Sequence, residues 1–142
     1  MIEIIKFRKH ENPALAEKAF DIRRQVFVDE QGVAPEIEYD EFEDIAWHYI
    51  LEDNGEPVAT GRWRETGKGV KLERFATLKP HRNQGYGEKL IRHVIRDVLP
   101  LNRPIYLHSQ LQAVPLYERA GFMKKGDVFM EAGIQHYLMQ RG

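Results

Sequence analysis

The chain has 142 residues, of which 42% are hydrophobic and 30% are charged, and its formal net charge is −1. This length fits one domain over residues 1–142 that buries its own core without a metal or a disulfide. The near-neutral charge argues against nucleic acid as a partner. The absence of cysteine excludes disulfides, thiolate metal sites and a thiol nucleophile. No apolar run is long enough to cross a membrane and no signal-peptide pattern is present, so we expect a cytoplasmic protein with no membrane partner.

The N-terminal third shows a strand and a helix, followed by an acidic segment. Ile2 to Arg8 alternates in the manner of a first strand, and Asn12-Pro13 is typical of a helix start, with a capping side chain and a proline in the first turn. Apolar residues at helical spacing extend this helix to about Asp29. The acidic segment from Glu36 to Asp44 is predicted as a loop anchored by a few apolar side chains.

Three strands and a long helix follow in the middle of the chain. The strands are predicted at 46–51, 58–64 and 70–78, and Asn54-Gly55 makes the first two a hairpin. The helix that begins after Gly85 carries one apolar stripe, formed by Leu90, Ile91, Val94, Ile95 and Val98. The strand, helix and strand between residues 70 and 108 are predicted to form a right-handed parallel crossover.

The C-terminal third completes a mixed fold. It contains a strand at 105–108, a short helix at 113–120 and a closing hairpin made by 122–130 and 134–139. The predicted order of elements is therefore β-α-β-β-β-α-β-α-β-β. This is an α/β (α+β) fold with a mixed central sheet flanked by helices, and it lacks the strict alternation of a doubly wound sheet.

The segment Pro80 to Leu90 joins the third of the middle strands to the long helix and contains two glycines one residue apart. A tight glycine turn lets backbone N–H groups approach a ligand closely, and the N-terminus of a helix favours an anion. Arg82 adds a fixed positive charge with a forked donor set. The segment therefore predicts a phosphate or pyrophosphate site, although a Gly-x-Gly turn also occurs where a chain only reverses direction.

The spacing Arg82-x-x-Gly85-x-Gly87 resembles the Q/R-x-x-G-x-G/A signature of the GCN5-related N-acetyltransferases, the GNAT family. The predicted order of elements resembles the fold of this family over essentially the whole chain, with one N-terminal helix where many members have two. In the family, the loop amides hold the pyrophosphate of acetyl-coenzyme A, and the strand before the loop pairs with the pantetheine arm. The resemblance assigns donor binding to Phe75, Ala76, Thr77, Arg82, Asn83, Gln84, Gly85, Tyr86, Gly87, Glu88 and Lys89.

A second motif lies between Gln110 and Phe122, where the chain resembles the N-x-x-A-x-x-x-Y-x-x-x-G-F pattern of the same family. In that pattern the tyrosine hydroxyl lies near the coenzyme sulfur, which implies that Tyr117 protonates the leaving thiolate. A half-buried structural tyrosine is the alternative. Gln110 stands where many members have asparagine, and the resemblance implies a contact with the pantetheine arm.

Glu73, in the predicted central strand, is a candidate general base, because many family members place an acidic residue there. Strand alternation predicts that it shares a face with Phe75 and Thr77, while Arg74 points to the other face. A structural carboxylate held in an ion pair is an equal alternative to the base.

Three histidines, His48, His108 and His136, lie on or beside predicted strands. An imidazole titrates near neutral pH, so each suits a proton shuttle or a substrate contact as well as a hydrogen-bonded place in the core. Their wide spacing does not support a metal site, and we expect no metal.

Two further stretches resemble a small bacterial subgroup of the family, the ElaA- or YjcF-like enzymes. One contains Arg23 to Gln31 and continues to Asp40, Asp44 and His48; the other is Phe129 to His136, in which Gln135 stands where the subgroup usually has proline. In the wider family the first helix and the following loop wall the acceptor pocket, which implies acceptor contacts from Glu30, Gln31 and Asp40. Glu30, Asp40 and Asp44 predict a negative lining suited to a cationic amine, and a solvated acidic loop is the alternative.

The resemblance implies an N-acetyltransferase that moves an acetyl group from acetyl-coenzyme A to a primary amine of a small molecule or peptide. A non-catalytic module that binds or senses acyl-coenzyme A is the alternative. A nucleotide-phosphate protein is disfavoured because neither Gly-x-x-x-x-Gly-Lys-Ser/Thr nor Gly-x-Gly-x-x-Gly occurs. The β-rich C-terminus allows a homodimer.

Overall fold

The computed structural model describes every residue from Met1 to Gly142 and contains one seven-stranded sheet in the order β1-β2-β3-β4-β5-β7-β6. All neighbouring strands are antiparallel except β4 and β5. The strands are β1 (Ile2–Phe7), β2 (Trp47–Asp53), β3 (Glu56–Thr66), β4 (Gly69–Thr77), β5 (Ile105–Gln110), β6 (Phe122–Glu131) and β7 (Ile134–Arg141). The mixed α+β architecture predicted from the sequence is confirmed.

Four α-helices accompany the sheet: α1 (Pro13–Arg23), α2 (Pro35–Glu38), α3 (Tyr86–Val98) and α4 (Val114–Arg119). The side chain of Asn12 caps α1 by accepting a hydrogen bond from the Leu15 amide at 3.2 Å, as its position before Pro13 predicts. The helix continues to Glu30, but Arg24–Glu30 is π-helical. The prediction of a loop from Glu36 was wrong in its first turn, because Pro35 begins α2 there. None of the helices has the length and apolar composition needed to span a lipid bilayer.

The core lies on both faces of the sheet. On one face the five predicted stripe residues of α3 are all buried. They pack in a cluster with residues of the middle strands, among them Tyr49, Trp63 and Leu72. On the other face α1 buries Ala16, Ala19 and Ile22 in a smaller cluster that includes Ile50 of β2.

The parallel contact between β4 and β5 is short. Only Val70, Lys71 and Leu72 pair with β5, opposite residues 105–107, and the two strands then diverge. The predicted parallel connection is confirmed. Beyond Leu72, one edge of β4 has no strand beside it, and its backbone groups on that side are left without a sheet partner.

A β-bulge at Arg74 interrupts β4. Arg74 has a φ of +60°, and the register with β3 shifts by one residue between the pair Arg62–Glu73 and the pair Thr60–Ala76. Phe75 therefore packs against the cluster beside α3, while Glu73 is hydrogen-bonded to Arg62 on the α1 side. The predicted shared face of Glu73 and Phe75 was wrong because strand alternation holds only in the absence of an extra residue.

Candidate functional site

A cavity of about 820 Å³ opens where β4 and β5 diverge. Its walls come from the N-terminus of α3, from α4, from the segment after α1 and from the end of the β6–β7 hairpin. It is lined by most of the residues that the sequence singles out, namely Gln31, Asp40, Glu73, Phe75, Ala76, Thr77, Arg82, Asn83, Gly85, Tyr86, Gly87, Glu88, His108, Gln110, Tyr117 and His136. Four of the predicted site residues lie outside it, namely Glu30, His48, Gln84 and Lys89.

The glycine turn and the first turn of α3 leave backbone donors facing the cavity. Gly85 is the N-cap residue with a φ of +84°, and no side chain caps the helix. The first backbone hydrogen bond of the helix runs from the Lys89 amide to the Gly85 carbonyl at 3.1 Å. The amides of Tyr86, Gly87 and Glu88 come before it and have no carbonyl partner within the helix. A Cβ added at Gly85 would meet no protein atom within 4 Å. The turn therefore fits an anionic ligand that approaches the backbone closely.

Arg82 is oriented by two partners. Its Nε donates to the Thr77 carbonyl at 2.9 Å, and its two terminal nitrogens donate to the carboxylate of Glu30 at 2.7 and 2.9 Å. Thr77 ends β4 and Glu30 ends the π-helical turn, so this guanidinium joins the segment before α3 to the end of the π-helical turn. Glu30 thus holds Arg82 and does not itself line the cavity.

The other side chains of the turn point away from the backbone donors. The Tyr86 hydroxyl donates to Asp53, and the Gln84 amide donates to the Pro80 carbonyl at 3.3 Å. Glu88 accepts from Arg119 at 3.0 Å and from Arg92 at 3.2 Å, and these bonds lower the pKa of its carboxyl. The part of the turn that faces the cavity is therefore largely main chain.

Tyr117 lies on α4 with its ring packed edge-on against Phe122, at 6.0 Å between centroids. Only 8% of the residue is exposed, and burial raises the pKa of its phenol. Its hydroxyl makes no hydrogen bond to the protein. Every fully buried polar side-chain atom in the structure has a hydrogen-bond partner, so this hydroxyl is not fully buried and is open to the cavity that Tyr117 lines. It stays protonated at neutral pH and is free to donate.

Gln110, at the end of β5, is engaged on both sides of its amide. Its Nε2 donates to Gln31 Oε1 at 2.8 Å, and its Oε1 accepts from Gln112 Nε2. Gln31 directly follows the π-helical turn. This pair bridges the wall on the α1 side to β5, beside the diverging strands.

Glu73 is held by cations. Its side chain lies 2.7 Å from Arg64 Nε, 3.0 Å from Arg62 Nη2 and 3.4 Å from Lys71 Nζ. Burial by itself would raise the pKa of this carboxyl, but the charges of Arg62, Lys71 and Arg64 hold it below its usual value. A carboxylate with a depressed pKa and engaged oxygens is a poor proton acceptor, so these contacts favour the structural alternative for Glu73.

The predicted negative lining was wrong, because arginines and a lysine neutralise the acidic side chains. Asp40 is paired with Arg62 at 2.7 Å and with Arg74 at 3.1 Å, which also shows that Arg74 lies on the same side as the Glu73 network. The carboxylate of Asp44 is exposed and lies 3.5 Å from Lys9.

A buried ion network holds the acidic segment against the sheet. Arg23 is hydrogen-bonded to Glu38 and Glu43, at 2.7–3.0 Å. Arg62, fully buried on β3, joins Glu43 at 2.7 Å to Asp40. The sequence does not reveal these pairs, because the partners are 15 to 22 residues apart.

The three histidines have different surroundings. His48 is 2% exposed, stacks on Phe7, and its Nε2 is 2.8 Å from the Glu43 carbonyl, so it is a core residue here and the predicted substrate contact is corrected. His108 and His136 both line the cavity. Between them lies Glu131, at 3.0 Å from His108 Nδ1 and 3.7 Å from His136 Nε2. Glu131 belongs to the tail motif quoted above, but the sequence analysis gave it no role.

The comparisons with known proteins agree with this geometry. The family described as "Acetyltransferase (GNAT) domain" matches residues 12–141. The uncharacterised N-acetyltransferase YjcF of Bacillus subtilis is 37% identical over 125 residues, covering 87% of this chain and 89% of that protein. YyaT of the same organism, also uncharacterised, is 37% identical over 128 residues, covering 87% and 86%.

Solved structures show the same fold at low identity. Escherichia coli ElaA has a TM-score of 0.88 at 24% identity, and both chains are covered completely. An acyl-CoA N-acyltransferase from Pseudomonas aeruginosa has a TM-score of 0.87, also at 24% identity and with full coverage of both chains.

The diverging parallel strands and the glycine turn at the start of α3 thus form an acyl-CoA N-acyltransferase fold. The chain belongs to the GNAT acetyltransferase family, whose members use acyl-coenzyme A as the donor. The family predicted from the two motifs is confirmed, together with the likeness to YjcF and ElaA.

Proposed function

We propose that this protein transfers an acetyl group from acetyl-coenzyme A to a primary amine of a small molecule or peptide, by direct attack within a ternary complex. Residues 1–142 act as its one catalytic domain. The observation that carries the proposal is the continuity of one cavity. It contains the uncapped turn at Gly85, the unpaired edge of β4 and the free hydroxyl of Tyr117.

The donor side is supported by the backbone. The amides after Gly85 and the guanidinium of Arg82 suit the pyrophosphate. The edge of β4 at Phe75, Ala76 and Thr77 offers main-chain groups to an extended pantetheine arm, in the way that a sheet edge accepts an added strand. The residues present therefore fit the coenzyme.

The leaving side is supported by Tyr117. The thiolate of the donor must be protonated as it leaves, and a phenol kept neutral by burial is suited to give that proton.

Glu73 orients Arg62, Arg64 and Lys71 beside the diverging strands. We assign it this electrostatic role in the site.

The first experiment is a thermal-shift comparison of acetyl-coenzyme A, coenzyme A, ATP and NAD, followed by a screen of primary amines with thiol detection. A ligand at one hundred times its Kd adds about 2.7 kcal/mol of stability. Stabilisation by the two coenzyme A species alone, together with amine-dependent release of thiol, is the expected result. Binding without turnover of any amine would instead make the protein an acyl-coenzyme A binding module.

A further inference from the structure

Three side chains from three strands form a cluster on the wall of the cavity. His108 lies on β5, Glu131 ends β6 and His136 lies on β7. His108 Nδ1 is 3.0 Å from Glu131 Oε1, and His136 Nε2 is 3.7 Å from Glu131 Oε2. The ring of Phe129 packs against both imidazoles, with centroids 5.0 and 5.9 Å away. We call these three residues the histidine–carboxylate cluster.

The fold brings the cluster together. Strand β7 lies between β5 and β6, and a tight turn at Ala132-Gly133, both with positive φ, joins β6 to β7. Glu131 pairs with Ile134 just before this turn, and its side chain reaches past β7 to β5. The contact between Glu131 and His108 therefore depends on the closing hairpin, which no local pattern around His108 reveals.

The hydrogen bonds define which nitrogen is available. The Glu131 carboxylate engages His108 Nδ1, which places a proton on that nitrogen. The bond from His108 lowers the pKa of Glu131 to about 2, so its carboxylate stays charged. His108 Nε2 has no hydrogen-bond partner in the protein, while the residue lines the cavity. This is the arrangement of an imidazole oriented to accept a proton.

The position of His108 relates it to the donor site. Leu107 is the last residue of β5 that pairs with β4, so His108 is the first residue past the point where the strands diverge. Glu73 holds the matching position on β4, but its oxygens are engaged by three cations. The other titratable groups near the cluster are Tyr106 on β5 and Lys71 on β4.

We propose that His108 is the general base for the acceptor amine and that Glu131 is its positioning residue. This inference rests on the acetyl transfer proposed above. His108 Nε2 takes one proton from the ammonium form of the acceptor. The neutral nitrogen then bonds to the acyl carbon as the carbon–sulfur bond breaks; the nitrogen loses its second proton to water, and the sulfur takes a proton from the Tyr117 hydroxyl. Exchange with solvent then restores both residues.

No group of three or more His, Asp or Glu side chains is arranged to hold a metal ion. In addition, His136 Nδ1 lies 2.7 Å from the Ile134 carbonyl, which fixes that ring toward the backbone. His136 Nε2 lies 3.7 Å from Glu131, beyond hydrogen-bond distance, so the hydrogen bond of Glu131 to a histidine is the one to His108.

The test compares His108→Gln and Glu131→Gln with the wild type, using ethylamine and trifluoroethylamine as acceptors with acetyl-coenzyme A. Ethylamine is protonated at neutral pH and trifluoroethylamine is not, so only the first depends strongly on a base. His93→Gln is the matched control, since His93 is a half-buried histidine on α3 that does not line the cavity. Donor affinity and the ¹⁵N signals of the imidazoles are measured on the same samples with coenzyme A bound.

We expect His108→Gln to lower kcat/KM for ethylamine roughly a hundredfold. The loss with trifluoroethylamine should be much smaller, and coenzyme A affinity should be unchanged. Glu131→Gln should lower kcat/KM for ethylamine more than for trifluoroethylamine and alter the tautomer signals of His108, because the imidazole loses the carboxylate that fixes the proton on Nδ1.

Equal losses for the two amines, or unchanged His108 tautomer signals in Glu131→Gln, would overturn the inference and leave the acetyl transfer intact. A different result would overturn the proposed function itself. Wild-type protein that binds acetyl-coenzyme A but acetylates no amine of the screen would remove the proposed function, and this base with it.

Discussion

Glu30 and Arg82 hold each other by two hydrogen bonds beside the cavity that Arg82 lines, at 2.7 and 2.9 Å. Glu30 ends the π-helical extension of α1, and Arg82 lies three residues before the cap of α3. The next residue, Gln31, reaches Gln110 of β5 at 2.8 Å. The segment Glu30–Gln31 thus contacts both the segment before α3, where we propose that the donor binds, and β5. Binding of coenzyme A at Arg82 is therefore expected to shift the Glu30–Gln31 segment.

The first prediction concerns this pair. Arg82→Ala should weaken coenzyme A binding by about 1.5–3 kcal/mol, the usual loss for a hydrogen bond to a charged group, or roughly tenfold to a hundredfold in Kd. Glu30→Gln should strengthen it by no more than about fivefold, because an exposed ion pair contributes up to about 1 kcal/mol. Isothermal titration calorimetry measures both changes.

Two controls make this measurement specific. Arg103→Ala removes a surface arginine paired with Glu65, outside the cavity, and should leave binding unchanged. Dephospho-coenzyme A lacks the ribose phosphate but keeps the pyrophosphate, so Arg82→Ala should weaken both ligands equally. A loss limited to coenzyme A would assign Arg82 to the ribose phosphate.

The second prediction concerns the space beside Gly85. Gly85→Val should abolish measurable donor binding, because the new side chain fills space that is clear of protein atoms within 4 Å of the Cβ and faces the cavity. Gly55→Val is a close control, because the φ of Gly55 is +82°, close to the +84° of Gly85, and its surroundings are equally open. Gly55 lies in the turn between β2 and β3. Both variants should lose similar stability, because each strains a positive φ. Calorimetry would contradict the site if folded Gly85→Val bound coenzyme A normally.

The third prediction concerns the hydroxyl of Tyr117. Tyr117→Phe should lower kcat roughly a hundredfold or more and leave donor Kd and melting temperature nearly unchanged, because the hydroxyl has no partner in the protein. Tyr49→Phe provides the opposite pattern. Its hydroxyl donates to Asp97 at 2.8 Å and accepts from Trp63 at 2.9 Å. Tyr49→Phe should lower the free energy of unfolding by about 1–3 kcal/mol and leave kcat normal. A change in donor affinity without a change in kcat would assign the Tyr117 hydroxyl to binding.

The fourth prediction concerns the buried network. Arg62→Met should destabilise the protein by about 3–5 kcal/mol, because it leaves carboxylates buried without their partner. Burial alone would raise the pKa values of Asp40, Glu43 and Glu73, but Arg62 and the neighbouring cations hold them below normal. Their stabilisation is therefore present above about pH 4, the unfolded value, and is lost as the pH falls through the folded values.

In Arg62→Met these pKa values rise, so acid unfolding should begin at a higher pH than in the wild type. Urea denaturation at a series of pH values measures both effects. Arg103→Met, at a partly exposed surface arginine, should change stability by less than about 1 kcal/mol at any pH. An acid transition that does not move in Arg62→Met would show that the network carries no pH dependence.

The part of the cavity that we propose for the donor was open to prediction because its determinants are local. A glycine turn, an apolar stripe and a tyrosine four residues after Ala113 can each be read from one short segment. The structure places these segments around one cavity. The element order was also predictable, since turn residues such as Asn54-Gly55 mark the ends of strands.

The part that we propose for the acceptor was not predictable, because its determinants are pairings between distant segments. Acidic residues after Pro35 indicated a negative surface, yet arginines on α1, β3 and β4 neutralise most of it. Glu131 reaches His108 only through the closing hairpin. A charge pattern along the chain gives no information about a partner supplied from another element.

The extra residue at Arg74 has a consequence for how relatives of this protein can differ in length. Before the bulge, the Glu73 side chain lies on the α1 side of the sheet. After the bulge, the Thr77 side chain lies on the α3 side. Deleting one residue here would exchange the two faces for the rest of the strand. Insertions and deletions are therefore expected to accumulate at surface turns such as Gly67-Lys68 and to be rejected inside β4.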